Sequence, residues 1–471
     1  MIEPIEPTLP MGAATGGPLP RLPSTFHGLH VHGLLGEGAM GEVWLASHPV
    51  LRMPLVVKTF KLAASEALFA EARLASRAAS PFVVGVIDAG VEAVGGVPVP
   101  FVVQRYVDGL DLHEVLERVN GGGRPLPVAA VCRMLRDVAR GLHAIHQAGV
   151  VHRDVKPANL FLAGSGYAAV GDFGVAVEQR TVAEGAHRPI AGTPQFMAPE
   201  QWGGARADRR TDVYALGATG HLLAAGAFAF EGATPLDIAR RQAIEPYVAP
   251  STTDPRAAYL YRVFARALER RPDDRYPTTE AFARDLDVIA EDPPALRMIG
   301  THDAMVGDVR VALARGDLAR EEADVIVNAA NTELRMRLGV ANALRGVGGD
   351  ALEAEAMALG PVPMGSVVWT SAGELRARHV AHAVAAYDGA ICVQRCVLRA
   401  LLEADARGAV RVALPAVGTG VGEVPMELGA KLALEATRTF AMLEPVHVRE
   451  VRFVLVDDGA LARWRDVLVA T

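Results

Sequence analysis

The stretch VVHRDVKPANLFL, residues 150–162, constrains the first half of the chain more than any other feature. It places Asp154, Lys156 and Asn159 in one short loop between two apolar segments. A carboxylate in such a loop can orient a hydroxyl nucleophile and accept its proton, and a lysine can neutralise a moving phosphoryl group. An amide oxygen can ligate Mg²⁺. The loop therefore predicts phosphoryl-transfer chemistry.

A glycine-rich loop and a strand lysine precede this stretch. The segment GEGAMGEVW contains Gly36, Gly38 and Gly41 ahead of Val43. Glycines let backbone amides approach phosphates because no Cβ is in the way. Lys58 ends the apolar run PLVVK, where it could hold the α and β phosphates of a nucleotide.

Two further carboxylates complete this set of candidate residues. Glu71, on the helix-like stretch LFAEARLASR, is a candidate ion-pair partner for Lys58, and Glu66 competes with it for that role. The segment VGDFGVA supplies Asp172 beside a glycine, as a second metal ligand. Mg²⁺ prefers a few oxygen ligands together with phosphate oxygens. Asn159 and Asp172 together could provide such ligands.

Residues from about 26 to 289 resemble a eukaryotic-like Ser/Thr protein kinase of the bacterial type. The resemblance rests on an ordered set: the glycine loop, the strand lysine, HRDVKPAN, DFG, GTPQFMAPE and DVYALG. It implies a two-lobed α+β fold and MgATP-dependent phosphorylation of Ser or Thr in proteins. It also implies that Lys58 pairs with Glu71, that Asp154 is the catalytic base, and that Lys156 assists transfer.

The same resemblance extends to positions around the active site. It places Gln104 at the back of the adenine pocket, with Val107 offering backbone groups, and makes Thr181 the candidate phosphosite of the activation loop. Asp212 and Arg275 match structural positions of the family. The alternative is a pseudokinase that acts as an adaptor without enzymatic work, but the lysine and both aspartates are retained.

The chain divides at the proline-marked segment AEDPPALRMIGTHD. Consecutive prolines remove backbone donors and disfavour helix before them. We expect a disordered Pro/Gly-rich segment at 1–24, a kinase domain at 25–291, a linker at 292–304 and a second domain at 305–471. The longest apolar stretch, residues 214–230, is short for a membrane span and predicts a buried helix.

Charge and cysteine content narrow the possible functions. The net charge of −7 and the lack of a basic, aromatic-rich patch argue against nucleic-acid binding. The three cysteines cannot form a disulfide framework, and the N-terminus lacks the basic start and apolar core of an export signal. We therefore expect a cytoplasmic location and no membrane span.

Strand-like and helix-like segments alternate after residue 305, which predicts a largely parallel sheet covered by helices. The polar loops NAAN and GTGVGE follow apolar runs, so both would lie at the carboxyl rim of the sheet, where ligands bind. A carboxylate such as Asp317 can accept from an adenine amino group, and Asn331 can bind ribose hydroxyls. Gly339 and Val340 open a helix, whose N-terminus favours phosphate.

A second glycine loop, PAVGTGVGEVP, could enclose a diphosphate with its backbone amides. The amides belong to Gly418, Thr419, Gly420, Val421 and Gly422.

From about Met305 to its end the chain resembles a macro domain, the ADP-ribose-binding module. The motifs are GDL, with Leu318, then VIVNAAN, GVANAL, VAHAV and PAVGTGVGEVP. The resemblance implies a three-layer α/β/α fold with ADP-ribose as ligand. Asp317 would contact adenine, Asn331 the distal ribose, and the two loops the diphosphate. Free ADP-ribose or ADP-ribosylated proteins would then be partners, for sensing or recruitment.

This sequence departs from the macro pattern in its first loop. The family usually carries a run of glycines before GV, and here the run is MRLG, in which Arg337 could add a phosphate contact. Hydrolase members of one branch carry an aspartate where this chain has Ala341, and the second loop has only Glu423 just beyond it. These departures favour a reader of ADP-ribose. The alternatives are a kinase with ADP-ribosyl hydrolase activity and a kinase with a degenerate, structural macro domain.

Overall fold

A computed structural model describes residues 20–38, 41–61, 69, 72–73, 75–119, 124–172, 193–203, 207–387, 390–420 and 422–471. Glu66, Glu71, Thr181 and Val421 lie outside these residues, so the roles predicted for them stay predictions. Most of the N-terminal segment predicted to be disordered also lies outside them.

The N-terminal lobe is built on an antiparallel sheet in the order β1-β2-β3-β4-β6-β5. Its strands are β1 (Thr25–Phe26), β2 (Leu29–Glu37), β3 (Gly41–Ser47), β4 (Pro54–Phe60), β5 (Val86–Val94) and β6 (Val97–Arg105). The start of β3 requires glycine, because a Cβ on Gly41 would lie 1.7 Å from the Thr59 carbonyl oxygen. Gly41 thus allows β3 to approach β4 at the end of the glycine-rich loop.

The second lobe is mainly helical and carries a small antiparallel sheet, β7-β8-β9. Its elements are β7 (Gly109–Asp111), α1 (Leu112–Arg118), α2 (Val128–Gln147), β8 (Leu160–Ala163), β9 (Ala168–Val170), α3 (Pro199–Trp202), α4 (Arg209–Ala225), α5 (Pro235–Ile244), α6 (Pro255–Ala267) and α7 (Thr279–Leu286).

The apolar stretch at 214–230 lies mostly in α4, a buried helix that ends before Gly226, where the left-handed φ of 70° suits glycine. In the described part of the chain, no helix combines the length and apolar composition that a membrane crossing needs.

The C-terminal domain contains an eight-stranded sheet in the order β10-β11-β12-β19-β18-β13-β15-β14. Its elements are β10 (Arg297–Met298), β11 (Asp303–Val306), β12 (Val309–Arg315), β13 (Val325–Ala329), α8 (Gly339–Gly348), α9 (Asp350–Leu359), β14 (Val367–Ser371), β15 (His379–Ala383), β16 (Ala386–Tyr387), β17 (Ala390–Ile391), α10 (Val393–Ala406), β18 (Arg411–Leu414), α11 (Met426–Met442), β19 (Glu450–Leu455) and α12 (Asp458–Ala470). From β12 to β15 all neighbouring strands are parallel, as the sequence predicted.

Helices cover both faces of this sheet, which gives the three layers. Alternate strand residues pack against α8 and α9 in a cluster with Ile326, Val380, Ala413, Val454, Leu344 and Leu352. The intervening residues pack against α10, α11 and α12 in a cluster with Val325, Val327, Val412, Leu414, Leu398, Leu434 and Trp464. The second cluster continues without a break into the core of the helical lobe.

The connection between the domains is shorter than the predicted linker at 292–304. Arg297 pairs with Met305, and Met298 with Ala304, so β10 already belongs to the C-terminal sheet. The prolines before β10 are held as well, because Arg438 donates to the Pro294 carbonyl at 3.1 Å. A two-residue edge strand leaves too little pattern in the sequence to be recognised.

A buried histidine makes the C-terminal domain sensitive to acid. His382 in β15 lies 3.1 Å from the Asn328 amide nitrogen and 2.9 Å from the Thr370 hydroxyl. Burial lowers the pKa of its ring to about 4. An unfolded histidine titrates near 6.5, so below that pH the unfolded state binds a proton that the folded state excludes.

We therefore expect stability to fall as the pH drops from about 6.5 toward 4, with His382 contributing up to about 3 kcal/mol. Urea unfolding of the wild type and of His382→Gln at pH 7 and at pH 4.5 measures this contribution. The wild type should lose more stability on acidification than the variant does. An equal loss in the two proteins would contradict the assignment.

Candidate functional site

The catalytic-loop residues predicted from the sequence lie together. Asp154 precedes a 3-10 turn at Pro157–Asn159, which brings Asn159 back onto Asp154. The Asn159 amide donates to the Asp154 carbonyl at 2.7 Å and to its carboxylate at 3.0 Å. Lys156 Nζ lies 2.7 Å from the same carboxylate. The loop thus presents one carboxylate held in place by an amide and an ammonium group.

Asp212 in α4 fixes the backbone of this loop from below. Its carboxylate accepts from the backbone N–H of His152 at 2.8 Å and of Arg153 at 2.7 Å, which holds Arg153 at a left-handed φ of 67°. Burial alone would raise the pKa of Asp212, but the hydrogen bond from His146 and the backbone donors keep it below its usual value. Asp212 therefore acts on the conformation of the loop.

Lys58 and Asp172 form an ion pair, with Lys58 Nζ 2.9 Å from Asp172 Oδ1. The partner predicted for Lys58, Glu71, lies outside the described residues. The backbone N–H of Gly171 donates to the Asn159 carbonyl at 2.9 Å, so the segment that carries Asp172 lies beside the catalytic loop. Both aspartates and both lysines of the prediction therefore belong to one site.

The donor set of this site suits Mg²⁺. Asn159 uses its amide nitrogen for Asp154, which leaves Oδ1 as an acceptor, and Asp172 contributes a carboxylate. Mg²⁺ in proteins is held by one or two carboxylates together with phosphate oxygens and water. Asn159 and Asp172 are thus the residues that would hold the ion.

A cleft of about 230 Å³ opens above the catalytic loop between the two lobes. It is lined by Leu35, Gly36, Val43, Val56, Lys58, Val84, Gln104, Arg105, Tyr106, Val107, Asp111, Ala158, Phe161, Asp172 and Arg395. Gly38 and Gly41 do not line it; they close the glycine-rich turn, with Gly38 N–H donating to the Gly41 carbonyl at 2.9 Å.

Asp111 and Arg395 are among the lining residues that the sequence analysis did not name. Asp111 follows the hinge, the segment at 106–108 between β6 and β7 that joins the two lobes. It could have been noticed as a carboxylate next to the predicted adenine contacts. Arg395 belongs to the C-terminal domain, and no local pattern connects it with the cleft.

The C-terminal domain has a larger cavity, of about 670 Å³, at the carboxyl ends of its parallel strands. All described residues predicted to bind ADP-ribose line it: Asp317, Leu318, Asn331, Gly339, Val340, Gly418, Thr419, Gly420 and Gly422. This volume lies in the range of small-molecule sites. Among the described residues that line the cavity, Asp317 is the only carboxylate.

Asp317 is positioned by its own turn. One carboxylate oxygen accepts from the Ala319 N–H at 3.0 Å, while the other lies 3.7 Å from Arg320 Nε. The side chain is 48% exposed, so the carboxylate remains accessible from the cavity. It can therefore accept a further hydrogen bond from a ligand amino group.

Asn331 mainly shapes the unusual MRLG loop. Its side-chain oxygen accepts from the Arg335 N–H at 3.1 Å, and its amide donates to the Arg335 carbonyl at 3.1 Å. Arg335 and Arg337 both line the cavity, so the loop adds two cations. From the sequence, only Arg337 was considered as a phosphate contact. Arg335, two residues before it, could have been recognised as a second one.

Met336 does not narrow the cavity, although it stands where the family usually has glycine. Its side chain is fully buried in the cluster beneath α8, and its backbone N–H donates to Glu353 at 2.9 Å. The hydrogen bond from Met336 and the nearby arginines lower the pKa of Glu353. The loop thus turns Met336 into the core and leaves Arg337 and Leu338 at the cavity.

Two backbone segments face the cavity where a diphosphate would lie. Helix α8 begins at Gly339 without a side-chain cap, so its first N–H groups are open to a ligand. In the second loop Gly418 adopts a φ of 81°, which favours glycine, and the Thr419 hydroxyl donates to the Ala416 carbonyl at 2.8 Å. The Thr419 hydroxyl therefore stabilises the loop, and the Thr419 backbone N–H donates to the same carbonyl at 3.3 Å. The amides of Gly418, Gly420 and Gly422 remain the candidate donors to a diphosphate.

A two-lobed fold with this catalytic loop defines a protein kinase, and the family model "Protein kinase domain" matches residues 29–286. The chain belongs to the protein kinase family. The model "Macro domain" matches residues 327–433, within the C-terminal sheet and its helices. The chain therefore carries a kinase domain followed by a macro domain.

Curated relatives agree with the assignment of a kinase domain. The chain is 34% identical over 266 residues to "Probable serine/threonine-protein kinase PknB" of Corynebacterium glutamicum, covering 54% of this chain and 41% of the relative. It is 31% identical over 312 residues to "Serine/threonine-protein kinase pkn3" of Myxococcus xanthus, covering 63% of this chain and 56% of the relative. The chain thus spans about half or less of the length of these relatives.

Among solved structures, the PknI kinase domain of Mycobacterium tuberculosis is 30% identical, with a TM-score of 0.43; the match covers 59% of this chain and all of that one.

Proposed function

We propose that this chain is a serine/threonine protein kinase that transfers the γ-phosphate of ATP to Ser or Thr residues of proteins. The observation that carries the proposal is the cluster of Asp154, Lys156 and Asn159 below a cleft that contains Lys58 and Asp172. The test is transfer of labelled γ-phosphate from ATP to a protein acceptor, followed by identification of the phosphorylated residue.

Each residue has a distinct task in this proposal. The Asp154 carboxylate orients the acceptor hydroxyl and takes its proton, while Lys156, 2.7 Å away, stabilises charge on the phosphoryl group in flight. Lys58 holds the α and β phosphates. When bound, Mg²⁺ neutralises charge on the phosphate oxygens.

A pseudokinase scaffold would need one of these groups to be missing or misplaced. Lys58, Asp154 and Asp172 are all present, and each makes polar contacts within the site. This arrangement favours an active enzyme over an adaptor without enzymatic work.

For the macro domain we propose binding of ADP-ribose or a related nucleotide. The supporting observation is a cavity that combines one accessible carboxylate, two arginines, the uncapped start of α8 and the glycine loop with Gly418, Gly420 and Gly422. A degenerate, purely structural domain would not need such a cavity.

Binding is favoured over ADP-ribosyl hydrolysis. Among the described residues lining the cavity, Asp317 is the sole carboxylate, and it is the group proposed to hold adenine. Ala341 stands at the position of the family's hydrolase aspartate, and Glu423 is not among the lining residues. No described group is thus placed to activate a water molecule.

A chain of contacts favours sensing of a ligand over simple recruitment. Ala385 lines the macro cavity, and its carbonyl accepts from the Cys392 N–H at 2.6 Å. Cys392 directly precedes α10, whose Arg395 lines the kinase cleft. Reciprocal coupling between the two sites is the thermodynamic requirement for sensing. Equal kinase rates with and without ADP-ribose would leave recruitment as the role.

Asp317→Ala is expected to weaken ADP-ribose binding about 10- to 100-fold, because a charge-assisted hydrogen bond is lost. Calorimetric titration of the full chain measures this, with the kinase cleft first saturated by a non-hydrolysable ATP analogue and Mg²⁺. Asp350→Ala is the matched control, since this carboxylate is 91% exposed and does not line the cavity. Equal affinities of the two variants would contradict the assignment of Asp317.

A further inference from the structure

The macro domain docks onto the hinge segment of the kinase through the first turn of α10. This helix has no side-chain cap from its own domain. Instead, the Asp108 carboxylate of the kinase accepts from the backbone N–H of Gln394 and of Arg395, each at 2.9 Å. Burial at this contact raises the pKa of Asp108 to about 6. A kinase residue thus caps a helix of the other domain.

The Arg395 side chain reaches further into the kinase. Its guanidinium donates to the Gly109 carbonyl at 2.6 Å and to the Glu114 carboxylate at 2.9 Å. Arg399, one turn along α10, contacts the other oxygen of Glu114. Because the Arg395 guanidinium is already fixed at two points, it loses little further conformational freedom when a ligand binds. These hydrogen bonds use only part of its five N–H donors.

The interface around this arginine is closely packed. A Cβ added to Gly164 of the kinase would lie 2.4 Å from Gln394 Cβ, and the Thr439 hydroxyl donates to the Gly164 carbonyl at 2.6 Å. The two domains therefore meet closely at Gly164, which contacts both α10 and α11. Arg395 is held in position by packing as well as by its own hydrogen bonds.

Arg395 also lines the cleft between the kinase lobes, together with Val107, Asp111 and Lys58. The macro domain thus contributes one residue, Arg395, to the lining of that cleft. We propose that Arg395 is a nucleotide-binding residue of the kinase site, where its cation attracts ATP, and that the macro domain completes this site. The inference rests on the proposed function, in which the cleft binds ATP.

Arg395→Gln is the variant that tests it. Glutamine keeps a side chain that can donate to the Gly109 carbonyl, and Glu114 keeps Arg399 as a partner, so folding is protected while the charge is removed. The dissociation constant and KM for MgATP are expected to rise about tenfold, as for the loss of one charge-assisted contact, with kcat nearly unchanged. Arg395→Lys, which keeps the cation, should retain most of the affinity.

Glu403→Gln is the matched control, because it removes an ion pair from the same helix. Glu403 lies 3.0 Å from Arg118 of the kinase but does not line the cleft. The affinity of the Glu403→Gln variant for MgATP should equal that of the wild type. Thermal unfolding of each full-length variant establishes that it is folded.

Three results would overturn the inference: unchanged ATP affinity in Arg395→Gln, an equal loss in Glu403→Gln, or tighter ATP binding, which would mean that Arg395 obstructs the cleft. Because ATP binding is measured separately from phosphate transfer, the two proposals can fail independently. A wild-type chain that binds ATP but transfers no phosphate would contradict the proposed function and leave the role of Arg395 standing.

Discussion

Asp154→Asn is expected to lower kcat for phosphate transfer by roughly 10²- to 10⁴-fold, the range that a positioned general base contributes. The amide cannot accept the proton of the attacking hydroxyl. Its remaining oxygen can still accept from Asn159 and Lys156, which lie 3.0 and 2.7 Å from the present carboxylate. The loop should therefore keep its conformation, and KM for ATP should change little.

Asp287→Asn is the control for this variant. Asp287 pairs with Arg140 at 2.8 Å on the surface of the helical lobe and is 39% exposed. The kcat of the Asp287→Asn variant should therefore match that of the wild type. Steady-state rates with a peptide acceptor measure both variants. A folded Asp154→Asn protein that keeps more than about a tenth of the wild-type kcat would show that Asp154 is not the base.

Glu114→Ala is expected to lower the free energy of unfolding by about 3–5 kcal/mol, because it leaves buried cations without their partner. Glu114 is 8% exposed and contacts Arg395 and Arg399 across the domain interface. Burial alone would raise its pKa, but Arg395, Arg399 and Arg118 together keep it below the usual value. The stabilisation is therefore present at neutral pH and is lost only in acid.

Urea unfolding of the full chain measures this loss, and Glu117→Ala is the matched control. Glu117 lies on the same helix, α1, but is 63% exposed and faces His113 at 3.4 Å. Replacing Glu117 by alanine should lower the free energy of unfolding by less than about 1 kcal/mol. If the two variants unfolded at the same urea concentration, the interface cluster would not hold the domains together.

The cluster that we propose to be catalytic could be predicted because its residues are close together in the sequence. Asp154, Lys156 and Asn159 share one loop, and chemistry of that loop alone indicated phosphoryl transfer. The cavity of the macro domain could be predicted for a related reason. Strands of a parallel sheet bring their carboxyl ends to one rim, so polar loops far apart in sequence must meet there.

Features that depend on packing between distant segments could not be predicted. Arg395 and Glu114 are separated by 281 positions, and neither lies in a motif that suggests the other. Likewise, Met336 stood where a glycine was expected, and only the fold shows that its side chain enters the core. The sequence shows which polar side chains the chain contains. The docking of α10 onto the kinase determines that Arg395 reaches the kinase cleft.

The most direct test of the account is incubation of the wild-type chain with Mg²⁺ and γ-labelled ATP, followed by analysis of the labelled amino acids. The account predicts label on serine or threonine, in the chain itself or in an added protein, and none in the Asp154→Asn variant. A folded wild-type chain that binds MgATP but labels neither residue would contradict the assignment of this protein as an active Ser/Thr kinase.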